Sequence, residues 1–137
     1  MIDVLIVDDS LTAREFIKHI CAGDAEIRII GEAVNGAEAL SFVEKRRPDV
    51  VVMDIQMPGM NGYETTRAMM EICPVPIVIH SSLATPGQND IVFQAMNAGA
   101  VAVSQKPTGP GHPESRQMAE KLVRTIKLMS EIKVVRK

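Results

Sequence analysis

Val4-Leu5-Ile6-Val7-Asp8-Asp9 and Val50-Val51-Val52-Met53-Asp54 decide how this 137-residue chain folds. Each stretch is a short, unbroken, β-branched apolar run that ends in acid. Such runs read as strands buried on both faces, as parallel strands are. Parallel neighbours bring their C-terminal ends to one edge of the sheet. Three carboxylates gathered there repel one another unless a cation sits among them. The two runs therefore point to a divalent-metal site, of the kind that phosphoryl chemistry uses.

Working outward, strand and helix signals alternate along the chain. Ile2 to Val7 predicts a strand, and Thr12 to Ala22 a helix capped by Ser10, with Phe16, Ile17, Ile20 and Cys21 on one face. Ile27 to Val34 predicts a second strand, closed by the Asn35-Gly36 turn. A helix follows over Ala37 to Arg47, with Ala39, Leu40 and Val43 inward, until Pro48 stops it. Val50 to Met53 is the third strand, Gly62 to Ile72 a helix, and Pro76 to Ile79 a fourth strand. Gln88 to Ala98 is a helix closed by Gly99, and Ala100 to Val103 a fifth strand. The Pro/Gly-rich segment 107–113 is a loop, and Ser115 to Ile132 returns to helical spacing through Met118, Leu122, Val123, Ile126 and Met129.

This alternation implies an α/β fold, a five-stranded parallel sheet with helices on both faces. The doubly wound, flavodoxin-like order 2-1-3-4-5 places the strands of Asp8-Asp9 and Asp54 side by side, as the acid cluster requires. Residues 1–130 form one domain, and 131–137 read as the start of a linker to an output domain outside this sequence.

Composition narrows the function. The chain is 46% hydrophobic and 23% charged, with a net charge of −2. Without a basic stripe, nucleic-acid binding by this domain is not expected. No apolar run approaches the roughly 18 residues that span a bilayer. The strand starting at Ile2 leaves no room for a secretion signal, so a cytoplasmic location is expected. Cys21 and Cys73 are isolated, without metal-ligand spacing, and read as reduced and buried. Nine Met accompany one Tyr, three Phe and no Trp, an aliphatic core with Met as filler. Met57, Met60, Met69, Met70 and Met96 are the candidates for an adaptable partner surface.

Asp54, at a strand end, can act as a nucleophile and carry a phosphoryl group as an acyl phosphate. The transferring group spreads charge over its oxygens, so the site needs placement and positive charge. Mg²⁺ held by Asp8, Asp9 and Asp54 would supply some of it, and Lys106, just past the fifth strand, the rest. Ser81, at the end of the fourth strand, offers a hydroxyl to a third oxygen. Acidic pair, acid, hydroxyl and lysine thus fall in order at the ends of strands one, three, four and five.

With these motifs the chain resembles the receiver domains of bacterial two-component response regulators. The matching residues are Val7-Asp8-Asp9-Ser10, Met53 through Gly62, Ser81-Ser82 and Lys106-Pro107. The resemblance implies that Asp54 is the phosphoacceptor, that Asp8, Asp9 and Asp54 bind Mg²⁺ with the backbone carbonyl of Gln56, and that Ser81 and Lys106 contact the phosphoryl group. It implies a cis Lys106–Pro107 bond, and a sensor histidine kinase as phosphodonor. The face of the fourth helix, fifth strand and fifth helix would carry the signal, and could pair two copies. Ile79-His80-Ser81-Ser82-Leu83, the loop 84–88, Lys106-Pro107-Thr108-Gly109 and the basic tail are similar to the receiver of the chemotaxis protein-glutamate methylesterase.

One position departs from the pattern. Receivers carry an aromatic residue three before the lysine, and here it is Val103, so a ring-rotation switch is not expected.

Other readings fit less well. A serine hydrolase needs a nucleophile, a base and an orienting acid, and no Gly-x-Ser-x-Gly stretch exists, so this domain itself is not read as an enzyme of that kind. His80 and Ser81 are adjacent strand residues that point to opposite faces. His80 reads as a partly buried strand-end residue, His19 as surface and His112 as a solvated loop residue. A flavin-binding module would want a Ser/Thr/Gly-rich phosphate loop after strand one, where this chain has two acids. A receiver-like scaffold that is never phosphorylated would not need the full set of Asp8, Asp9, Asp54, Ser81 and Lys106. The receiver of a transcription regulator, or a stand-alone receiver, remains the nearer alternative.

Overall fold

The computed structural model describes residues 1–84, 87, 89–107 and 115–135. Its strands are β1 (Ile2–Val7), β2 (Ile27–Ala33), β3 (Val50–Met53), β4 (Ile77–Ser81) and β5 (Ala102–Gln105). They alternate with α1 (Leu11–Ala22), α2 (Gly36–Lys45), α3 (Gly62–Ile72), α4 (Asn89–Ala98) and α5 (Ser115–Met129). The sheet is parallel throughout, in the order β2-β1-β3-β4-β5. The expected doubly wound architecture is therefore the one observed.

Two cores follow from the period-two alternation of strand side chains. Leu5, Val7, Val51, Met53, Ile77 and Ile79 face one way, onto Ala39 and Val43 of α2, Met69 and Met70 of α3 and Ala95 of α4. Val4, Ile6, Val50, Val52 and Val78 face the other way, onto Ile17 and Cys21 of α1 and Leu122 and Ile126 of α5. Cys21 and Cys73 are both buried, free thiols, as expected. Met69 and Met70 are core residues, which removes them from the expected Met surface. Their side of α3 packs against the sheet, and Met70 lies under Gly99, whose positive φ (117°) turns the chain out of α4. Met96 stays 42% exposed, and Met57 and Met60 are half-buried.

Several element ends differ from the sequence expectation. β4 runs on to Ser81 and β5 to Gln105, each two residues past its apolar run. His80 and Ser104 are paired in this extension, and both are buried polar residues that an apolar-run criterion skips. His80 is accordingly 2% exposed rather than partly buried. α5 stops at Met129, and Val134 beyond it packs half-buried against the first core. The Lys106–Pro107 bond is trans: no cis peptide occurs among the described residues. Trans is the intrinsically favoured form, and the Lys106 backbone N–H already continues the sheet by donating to the Ser81 carbonyl at 2.9 Å. Expectations for Gln88, loop 108–113, His112 and tail 136–137 lie outside the described residues. No described helix is long and apolar enough to cross a membrane.

Candidate functional site

The register of the central strands assembles the site. Val7 lies opposite Met53, so Asp8 and Asp54 leave adjacent strands at the same level. The Asp54 backbone N–H then bonds the Val7 carbonyl at 2.9 Å. Met53 lies opposite Ile79, which sets the end of β4 alongside. Ser81 lies opposite Gln105, so Lys106 is the next residue to emerge.

One carboxylate oxygen from each of Asp8, Asp9 and Asp54 lies within 4.8 Å of the others. The three differ in burial: Asp8 is 1% exposed, Asp54 is 8% exposed, and Asp9 faces solvent. Lys106 Nζ enters the same cluster, 2.7 Å from Asp8 Oδ2 and 3.5 Å from Asp54 Oδ1. Burial pushes the Asp54 carboxyl above the usual carboxylate range, and the Asp8 charge adds to that, while Lys106 and the Ile55 backbone N–H oppose it. A hard, oxygen-only donor set with one exposed member suits a small divalent cation that keeps part of its water.

The loop after Asp54 is shaped by local bonds. The Ile55 N–H donates to Asp54 Oδ1 at 2.9 Å, holding that carboxylate over its own backbone. Gly62 N–H then bonds the Ile55 carbonyl at 2.8 Å. α3 starts in a capping box, with Asn61 Oδ1 accepting from Glu64 N–H and Glu64 Oε1 from Asn61 N–H. Gln56 lies beside Asp9, Ile55, Met57, Pro58 and Asn61 around a hollow of about 500 Å³ that opens next to the acids. A larger hollow of about 950 Å³ between α1 and α5 contains none of the candidate residues.

Ser81 is buried at the end of β4, its Oγ accepting from the Leu83 N–H at 3.1 Å. Val103 packs half-buried against the first core, where it lies opposite Ile79. The structure thus brings Asp8, Asp9, Asp54 and Lys106 together and sets Ser81 and Gln56 at the border. Sequence reading missed Arg14, whose Nη1 donates to the Asp8 carbonyl at 2.9 Å. It named Gly62 as a helix start but missed that it lies so close to Asp54 that a Cβ there would run into the Asp54 carbonyl oxygen. The sharp Asn61-Gly62 start of α3 was a signal for the second; nothing in the sequence marked the first.

Comparison with known proteins agrees with this fold. The family model described as the response regulator receiver domain matches residues 4–116. Protein-glutamate methylesterase/protein-glutamine glutaminase 3 of Hahella chejuensis is 48% identical over 135 residues, covering 98% of this chain and 38% of that protein. The corresponding protein of Nitrosospira multiformis is 46% identical over 137 residues, covering all of this chain and 39% of its own length. The chain therefore spans about two fifths of the curated relatives it matches. Among solved structures, the response regulator domain of Thermotoga maritima CheB has a TM-score of 0.88 and 34% identity, covering 97% of this chain and 98% of that one. A chain of the CheX-CheY-BeF3-Mg+2 complex from Borrelia burgdorferi has a TM-score of 0.76 and 26% identity, covering 93% and 88%.

Proposed function

Since the chain belongs to the response regulator receiver domain family, as a receiver of the CheB type, we propose that Asp54 accepts a phosphoryl group from the phosphohistidine of a sensor histidine kinase. Receiver domains take phosphate from histidine kinases and regulate an output domain. An Asp54 carboxylate oxygen forms a bond to phosphorus as the histidine N–P bond breaks, leaving an acyl phosphate on Asp54 and a free imidazole on the donor.

The observation that carries this reading is the convergence of three acids with Lys106 Nζ at the ends of β1, β3 and β5. Asp8, Asp9 and Asp54 would hold Mg²⁺, with the backbone carbonyl of Gln56 as a further ligand, and the ion would supply positive charge to the phosphoryl oxygens. The neighbour solved with BeF3 and Mg+2 on a similar fold supports that assignment. Lys106 neutralises part of the charge on Asp8 and Asp54 and is placed to pair with a phosphoryl oxygen. The buried Ser81 hydroxyl is a further donor at the sheet edge.

Residues 1–130 act as the receiver and 131–137 begin a linker. The controlled output is a protein-glutamate methylesterase, the activity named for the full-length relatives. The face of α4, β5 and α5 transmits the change, and it can also pair two copies. With Val103 in place of an aromatic ring, the signal passes through Ser81 and the segment that follows it rather than through ring rotation. The domain works in the cytoplasm and binds no nucleic acid.

Asp54→Asn tests the central assignment. With acetyl phosphate and Mg²⁺, the wild-type chain should gain one phosphoryl mass and the variant none. Undiminished labelling of the variant would overturn the assignment.

A further inference from the structure

We propose that Arg14 is a positioning residue for the cation site, fixing the peptide plane that joins Asp8 to Asp9. The inference rests on the metal-dependent reading above and adds a residue of α1 to it. β1 ends at Val7, so the Asp8 carbonyl has already left the strand ladder. Arg14 Nη1 donates to that oxygen at 2.9 Å. The peptide unit is planar, so holding the Asp8 carbonyl also sets the direction in which the chain enters Asp9. Asp9 is exposed, and its orientation has little packing to define it.

The other groups of Asp8 are engaged elsewhere. Its N–H bonds the Ala33 carbonyl at 3.0 Å, Oδ1 accepts from Ser10 N–H at 2.9 Å, and Oδ2 accepts from Lys106. Arg14 completes this set from the side of α1.

The guanidinium is itself aimed. Arg14 Nε donates to Glu32 Oε1 at 3.0 Å, and Lys18 Nζ holds the other Glu32 oxygen at 3.1 Å. Glu32 belongs to β2, the strand beside β1. The planar fork of Arg14 therefore ties the Asp8 carbonyl to the neighbouring strand, which a flexible, single-headed lysine does not reproduce. The Arg14 side chain is 14% exposed, and Glu32 offsets its charge.

Geometry and charge give opposite signs here. If Arg14 acted only as a nearby positive charge, removing it would tighten binding of a cation. If it positions the ligands, removing it loosens binding, as loss of an outer-shell partner does. The test is Mg²⁺ titration of wild type, Arg14→Gln, Arg14→Lys and Glu32→Gln by calorimetry, with Mg²⁺-free melting temperatures alongside. Arg14→Gln and Arg14→Lys should each weaken Mg²⁺ binding roughly tenfold. Glu32→Gln should weaken it less, because the amide oxygen can still accept from Nε.

Unchanged or tighter Mg²⁺ binding in Arg14→Gln overturns the proposal, whatever happens to its melting temperature. If that variant fails to fold, Arg14→Lys and Glu32→Gln carry the same test, and wild-type affinity in both overturns it. Failure of the wild-type chain itself to bind Mg²⁺ would instead bring down the metal-dependent reading on which the proposal stands.

Discussion

At His80 a buried imidazole leaves Nδ1 without a hydrogen-bond partner among the described residues. Burial, with Lys106 nearby, pushes its pKa down to about 3. The unfolded chain takes up that proton near the ordinary histidine value of about 6.5. Between these limits the unfolded state binds more protons, so the contribution of His80 to stability is whole above about pH 6.5 and drains away toward pH 3. His80→Met should flatten the melting temperature between pH 6.5 and 4 and remove a pH-linked loss on the order of a few kcal/mol. Thermal melts of both chains across that range check it, and parallel curves would exclude His80 as the source. The same scale shows what a sequence can reveal of a site. Asp8, Asp9 and Asp54 are legible because each terminates an apolar run. Arg14 is not, because its contacts join α1 to the end of β1 and to Glu32 of β2, across a gap that has no periodic signature.

Among the elements, α3 bears most directly on Asp54. Its first residue, Gly62, lies under the Asp54 carbonyl, and an added Cβ would also meet Ile55 Cα at 2.9 Å. Alanine is worth about 1 kcal/mol over glycine inside a helix. Here the clash is with backbone that has no rotamer to yield, and overpacking of that kind costs about 1–3 kcal/mol. Gly62→Ala should therefore lower stability despite its better helix propensity, and slow Mg²⁺-dependent labelling of Asp54 by more than the unfolded fraction explains. Denaturant melts and acetyl phosphate time courses measure the two effects. Element boundaries were legible where a strand is apolar to its end: all four residues of β3 are apolar and buried, and its limits agree with the apolar run. They were not at β4 and β5, where the last residues are polar because they face the site or pair across the sheet.

For the molecule as a whole, the two cores follow from patterning alone, whereas the sheet order is legible only through the need to bring the acids together, and the electrostatics of the acid edge depend on long-range register. Burial and the Asp8 charge work against an ionised Asp54, and Lys106 offsets only part of that. A cation that binds only the folded state should stabilise it by about 2.7 kcal/mol at a concentration 100 times its dissociation constant. Melting temperature should therefore climb with added Mg²⁺ and stop doing so when Asp8 and Asp9 are both replaced by asparagine. A rise that survives the double replacement would place the ion elsewhere. The gradient from hidden Asp8 to open Asp9 has a consequence of its own. Mg²⁺ sheds water reluctantly, and a half-open set of acids would let it keep part of that water while Asp8, Asp9 and Asp54 hold it, without any parting of the sheet. Loading and emptying would then track the ion supply around the protein, and signal strength would inherit a dependence on magnesium availability.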